Sequence, residues 1–443
     1  MTVLNSRVIR IAAASVLGGM LIGVVGGAFR YCLIISDNLR SALVVWAHGT
    51  PYAGWLLPVA LGAAGAWLAR LLVVKFAPTA EGSGIQRVEA VFSGEIPPAA
   101  PGVVPVKFIG GLLAMGSGLA LGREGPTVQM GASFGSWVSR TLIKQEEDRR
   151  VVDAASAGAG LAVAFNAPIG GSIFVFEELT SSFTPWLLVA TLAAASVAVW
   201  VMRLMLGDTL DFAVPQVSPT ETWKTWPFFT LGALLGVIGA VYNSTVMGLL
   251  RITDRLDAVS SLNRAAIIGA VVGLAAWFAP ELVGGGDTLT QAILSNPLAV
   301  GSLIAIFLLR FLIGPWSYAA VVPGGLFAPL LLLGASSGAL FAGAVNHFIP
   351  AADLSVVACA IVGTGALFTA SVRAPLTGIV LAVEMTGRAD LTLGLLSASL
   401  TAMVVAMLLR SEPIYASLKR RMLSQSTVTP GRIDAGVRPG HGS

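Results

Sequence analysis

The sequence predicts an all-α polytopic membrane protein made of two related halves whose broken helices meet at one central site. Three observations predict it. Apolar residues are 55% of the 443-residue chain and charged residues 11%. Soluble domains carry about 25% charged residues, so too little polar surface remains here to cover a water-soluble body. Apolar stretches of spanning length recur from Ile11 to Leu409. Finally, a series of helix-breaking motifs recurs in the same order in the second half, where breaks of this kind mark a binding site.

Composition also removes several function classes. The net charge of +4 and pI near 9.3 come from basic residues scattered at helix ends, with no aromatic-interleaved patch, so nucleic acid is not an expected partner. Cys32 and Cys359 stand alone in apolar stretches. His48, His347 and His441 are far apart, so neither a disulfide framework nor a metal site is expected.

In chain order, Arg7 and Arg10 precede an apolar run, Ile11 to Phe29, that continues in helical pattern to Trp46. No small-residue cleavage site follows, so this is an uncleaved first helix with a cytoplasmic N-terminus. Its Gly19, Gly23 and Gly27 form a close-packing stripe. A second span covers Trp55 to Val74. Glu81-Gly82-Ser83-Gly84-Ile85-Gln86 then breaks the helix at Pro78 and restarts it near Ile85. Ser83 suits two roles: an N-cap for that helix, or a hydroxyl donor pointing into a pathway. Glu89 lies near the end of the short helix. Pro101 to Pro105 make a turn, and Lys107 begins the apolar segment before the central motif.

That motif is Gly122-Arg123-Glu124-Gly125-Pro126. Its glycines and proline mark a turn that opens a helix over Thr127 to Trp137. A helix start offers free N–H groups and a positive dipole end, which is an anion site. Glu124 would sit where a bound anion sits, a built-in carboxylate competing with a mobile one. Beyond it come a charged loop from Arg140 to Arg150, a small-residue helix over Ala154 to Ala164, a break at Phe165-Asn166-Ala167-Pro168, and a helix over Ile169 to Leu179 that carries Glu177 and Glu178. Adjacent carboxylates point about 100° apart on a helix, so one can face a partner or water and the other the interior. Trp186 to Met205 is another span, and the polar stretch Gly207 to Lys224 divides the chain.

The second half places spans at Phe228 to Val246, Ala265 to Phe278 and Leu298 to Ile313, then Pro323 to Pro329. Gly122-Arg123-Glu124-Gly125-Pro126 aligns with Gly325-Leu326-Phe327-Ala328-Pro329 at an offset of 203. Gly82-Ser83-Gly84 aligns with Gly284-Gly285-Gly286 at 202, and Ala167-Pro168 with Ala374-Pro375 at 207, which also puts Glu177 on Glu384. Gly-rich breaks exposed to lipid would leave backbone groups unsatisfied, so these must line an enclosed cavity. Asp390 to Leu409 is the last span. A short helix from Ser411 through Tyr415 ends in Lys419-Arg420-Arg421, which places the C-terminus in the cytoplasm. The expected organisation is one transmembrane domain, 1–425, with repeats at about 11–206 and 225–410, a terminal pathway helix at about 411–423 and a disordered tail at 426–443.

Gly82 to Ile85, Gly122 to Pro126, Phe165 to Glu178, Gly324 to Pro329 and Tyr415 together resemble the CLC family of chloride channels and chloride/proton exchangers, and the resemblance runs from Ile11 to Tyr415. It implies an inverted repeat and a homodimer with one pathway per subunit. The dimer seam would lie around Ile169–Leu179, Trp186–Met205, Leu376–Met385 and Leu391–Leu409. It further implies a central anion held by the hydroxyls of Ser83 and Tyr415 and the N–H groups of Leu326 and Phe327. Glu124 would be the gate, the backbone around Arg123 and Gly125 an outer anion site, and Glu178 the inner proton-transfer residue. Two positions depart from the pattern. Gln86 stands where the family often has Pro, and Ala319-Ala320-Val321-Val322 is more apolar than the usual Ser/Gly-rich run. No nucleotide control through paired C-terminal domains is expected.

The function so implied is exchange of Cl- for H+ across a bacterial inner membrane, with no cofactor or metal and with lipid as surroundings. The alternative is a passive, voltage- or pH-gated chloride channel on the same fold, against which Glu178 argues. An intramembrane enzyme is not expected, because Ser83 has no base nearby in the sequence and no nucleophile or metal cluster falls on matched repeat elements.

Overall fold

The structure is a computed structural model that describes residues 2–50, 52–100, 102–215, 225–256, 259–295 and 298–428. The described residues form seventeen α-helices: α1 (Thr2–His48), α2 (Leu56–Phe76), α3 (Ile85–Phe92), α4 (Val103–Gly116), α5 (Glu124–Leu142), α6 (Glu146–Phe165), α7 (Pro168–Phe174), α8 (Pro185–Leu206), α9 (Trp226–Asp254), α10 (Ser261–Phe278), α11 (Asp287–Ser295), α12 (Val300–Ala319), α13 (Phe327–Phe348), α14 (Val356–Val372), α15 (Pro375–Thr386), α16 (Thr392–Leu408) and α17 (Ile414–Val428). Eight of the described helices are long and apolar enough to cross a membrane.

The two halves are α1–α8 and α9–α16, and their packing repeats. α1 lies on α8 as α9 lies on α16, and α5 lies on α6 as α13 lies on α14. Two helices pack on their own counterparts, α2 on α10 and α7 on α15. That self-pairing is what a two-fold relation between the halves requires. The close approach of α2 and α10 needs small residues: a Cβ on Gly62 would strike the Gly269 carbonyl, and one on Gly269 would strike that of Gly62. The glycine stripe of α1 works in the same way, with Gly19 and Gly23 against Ala194 and Ala198 of α8.

Several expectations need correction. The segment from Arg140 to Arg150 is not a loop, because α5 runs to Leu142 and α6 starts at Glu146. Glu146, Glu147 and Asp148 fill the first turn of α6, where carboxylates meet the positive end of the helix, and Arg7 holds Asp148 with a 2.6 Å contact. Pro105 belongs to the first turn of α4 rather than to a turn before it, a position where the missing N–H costs nothing. The helix expected over Ile169–Leu179 is α7 followed by a wide π-turn at Val175–Leu179. Helices α11, α13 and α14 lie outside the expected spans: α11 is too short to span, α13 starts at the second central motif, and α14 is buried over most of its length. The 216–224 part of the central polar stretch, Pro101, and 429–443 of the expected tail lie outside the described residues.

Candidate functional site

The site forms where the two copies of the central motif meet. Gly122 and Gly325 pair as an antiparallel bridge, with Gly122 N–H donating to Gly325 O at 2.9 Å and Gly325 N–H donating to Gly122 O at 2.8 Å. One residue beyond each bridge half, α5 and α13 are capped by Arg123 and Leu326. Glu124, the first residue of α5, is fully buried and turns across this bridge. Its Oε1 accepts the Phe327 N–H at 2.7 Å, while its Oε2 has no hydrogen-bond partner among the described residues. A Cβ on either Gly122 or Gly325 would run into this carboxylate. It is Phe327, not Leu326, whose N–H the carboxylate takes. An ionised carboxylate in a dry interior needs donors, and the start of α13 supplies one.

Ser83 and Tyr415 reach the same place from far apart in the chain. Both are completely buried, their hydroxyls are neighbours, and among the described residues neither meets the full geometry of a hydrogen bond. Ser83 is not the N-cap of α3. That place is taken by Gly84 at φ 94°, a left-handed conformation that glycine adopts freely. The Ser83 hydroxyl is thereby released from capping, and its own N–H donates to the Tyr318 hydroxyl at 3.4 Å. Gln86 lies buried in the first turn of α3, and the helix still starts at Ile85. Gly125 is pressed against Ser83, where a Cβ would collide with the Ser83 side chain. Phe165, Phe174, Phe368 and Tyr415 surround the Phe327 ring, with centroids 4.2–6.4 Å away. The arrangement therefore holds hydroxyl and amide donors and one carboxylate inside an aromatic wall, with no ion pair to that carboxylate among the described residues. It can hold an anion without neutralising it, which favours release.

Two buried cations, Lys107, which the sequence places only at the start of an apolar segment, and Arg310, shape the loops around this centre. Lys107 Nζ donates to Gly82 O and Ser83 O at 2.7 and 2.9 Å. Arg310 donates to Leu282 O, Gly284 O and Gly285 O at 3.0, 2.8 and 2.9 Å. The two residues are 203 apart, the same offset as the central motifs, and each turns the carbonyls of its Gly-rich loop inward onto itself. Carrying that offset over to the charged residues would have found the pair.

Arg123 sends its side chain away from the centre. Its Nε donates to Ala164 O at 2.8 Å, and its terminal nitrogens meet Asp287 at 2.6 Å and Asp211 at 3.4 Å.

Glu178 and Glu177 separate in the way their geometry demands. Glu177 accepts from Leu376 N–H (3.0 Å), Thr377 N–H (2.8 Å) and the Thr377 hydroxyl (2.8 Å), capping α15. Its counterpart Glu384 accepts from Ile169 N–H (3.1 Å) and Gly170 N–H (2.6 Å), capping α7. Glu178 is half-buried beside Glu89 and Lys419. Lys419 bridges Glu89 at 2.7 Å and Glu95 at 3.3 Å. Burial pulls the Lys419 ammonium down, but hydrogen bonds to the two carboxylates and their charge outweigh it and hold it above its ordinary range. Tyr415 lies within electrostatic reach of both Glu124 and Glu178.

The profile of the family described as "Voltage gated chloride channel" matches residues 65–407. The chain is 38% identical over 415 residues to the H(+)/Cl(-) exchange transporter ClcA of Vibrio cholerae serotype O1 (strain M66-2), covering 92% of this chain and 89% of that protein. Among solved structures it is similar to a slow cyanobacterial Cl-/H+ antiporter, with TM-score 0.90, 32% identity, and coverage of 94% of this chain and 99% of the other. It shares its fold with a CLC-type fluoride/proton antiporter at TM-score 0.76 and 20% identity, covering 92% and 97% of the two chains.

Proposed function

The chain belongs to the voltage gated chloride channel family, and from that membership we propose that it is a multi-pass membrane antiporter that exchanges chloride for protons. One observation carries the reading: the Glu124 carboxylate rests on the Phe327 N–H beside the two buried hydroxyls of Ser83 and Tyr415. An internal anion held there by hydrogen bonds leaves when it is protonated, because its negative charge, and most of its hold on the donor, is lost. Protonation thus opens the seat to chloride, and departure of chloride returns it to the carboxylate, which ties the two fluxes together.

In this reading Ser83, Tyr415 and the Leu326 and Phe327 N–H groups hold the central chloride, and the backbone at Arg123 and Gly125 holds one nearer the mouth. Glu178 passes protons to and from water on the opposite side. Glu178 supports exchange over a passive channel, since protons that leave the anion route part-way need a second carrier. The molecule works as a homodimer in a bacterial inner membrane, with both termini cytoplasmic. Ile169 and Leu376, exposed beside the reciprocal caps of α7 and α15, supply apolar surface for the partner. The test is purified protein in liposomes with chloride and proton movement recorded together. Protons driven uphill by a chloride gradient establish exchange, whereas chloride flux with no proton movement makes the protein a channel.

A further inference from the structure

The guanidinium of Arg123, one residue before Glu124, is held on three sides by groups of unequal accessibility. Ala164 O and Asp211 hold two of them, and Arg30 in turn fixes Asp211 at 2.7 Å. The Asp211 side chain is 4% exposed and that of Arg123 14%, whereas Asp287 is 44% exposed. Asp287 is therefore the one ion-pair partner of Arg123 that water, and an ion arriving from water, reaches directly. It is the first residue of α11 and follows the loop whose carbonyls wrap Arg310. On the other edge of this face, Arg40 donates to Asp37 at 2.5 Å and to Met115 O and Gly116 O. Arginines 30, 40, 123 and 310 thus form one charged cluster with Asp37, Asp211 and Asp287, in which Asp287 is the half-exposed acid that hydrogen-bonds Arg123.

We propose that Asp287 is an entry latch: its carboxylate occupies the face of Arg123 that an incoming small anion would use, so that it sets the apparent anion affinity on this side of the pathway. The proposal rests on reading the chain as an anion transporter, but not on proton coupling. The physical case lies in the inequality between the two acids. Half-exposed ion pairs contribute little and are screened by salt, so a mobile anion can displace Asp287. Asp211 is buried between two arginines, and removing it would leave buried charge unpaired. Arg123 stays anchored by Asp211 and Ala164 O when Asp287 moves.

The experiment uses oriented protein in liposomes with chloride varied on one face at a time. Asp287→Asn should lower the chloride KM on the Arg123 face by about two- to fivefold, the scale of a half-exposed ion pair, and leave the KM on the opposite face unchanged. Asp287→Glu, which keeps the charge, should stay near wild type. Asp37→Asn serves as the control, since Asp37 has a similar exposure of 45% and pairs with Arg40, acting on Arg123 only through space. An unchanged KM in Asp287→Asn would overturn the latch, and so would an equal shift in Asp287→Asn and Asp37→Asn, which reports surface charge alone. If wild type carried chloride without protons, the exchange reading would fail while the KM comparison kept its meaning.

Discussion

Gly122 and Gly325, which occupy the same position in the two halves, hydrogen-bond to each other in both directions. Equivalent residues can pair in this antiparallel way only if a two-fold relation passes between them. The relation brings the start of α13 to the start of α5, so the second half offers an N–H donor where the first half offers Glu124. The duplication is thus more than a way of making a larger bundle. One half supplies the carboxylate and the other the amide that receives it.

Replacing that carboxylate tests the arrangement most directly. Glu124→Gln cannot become an anion and should behave as the released form. Chloride flux should persist, lose its dependence on pH and carry no protons. In wild type, flux should rise as the Glu124 face is acidified, because protonation removes the competing charge. Paired chloride and proton recordings in liposomes check both statements, and a mutant that keeps the wild-type pH profile would remove Glu124 from the gate.

The two hydroxyls should matter for affinity and not for folding. Removing a donor from a desolvated anion costs on the order of 1.5–3 kcal/mol, which corresponds to roughly 10- to 150-fold in Kd. Ser83→Ala and Tyr415→Phe should each weaken chloride binding on this scale and loosen proton coupling. Calorimetry in detergent measures the affinity; unchanged binding in both variants would place the anion elsewhere.

Glu178→Gln should keep chloride flux and lose proton flux. Glu178 lies with Glu89 and Lys419 and has no part in capping a helix. A variant that still drove protons uphill would move the proton route to another residue.

Glu177 and Glu384 should behave alike and unlike Glu178. Each carboxylate caps the helix at the matching position of the other half. Glu177→Gln and Glu384→Gln should each lose about 1–2 kcal/mol of stability, read as a lower unfolding temperature in detergent, with proton coupling retained. If Glu177→Gln abolished proton flux in a protein of undiminished stability, Glu177 would belong to the proton route.

The membrane class and the two related halves could be read from the sequence. Composition dictates the surroundings, because 55% apolar residues cannot be covered by 11% charged ones. Helix breaks announce themselves locally through Gly and Pro, and their common offset matches the breaks of one half to those of the other. The choice between the two roles open to Ser83 was not legible. A local reading allows it to cap its own helix, and only the fold shows Gly84 taking the cap and Lys107 holding the Ser83 carbonyl from 24 residues away in the chain. The different fates of Glu177 and Glu178 were also hidden, since adjacent carboxylates differ only in what other helices bring to them. The sequence by itself therefore determined which backbone segments break and that they repeat, because breaking is a property of a few neighbouring residues. The tertiary structure alone decided which donors and acceptors face one another: Glu124 and Phe327, Glu177 and Thr377, Arg123 and Asp287. Those partners lie 164 to 203 residues apart, and only the folded pairing of the two halves brings them within hydrogen-bond distance.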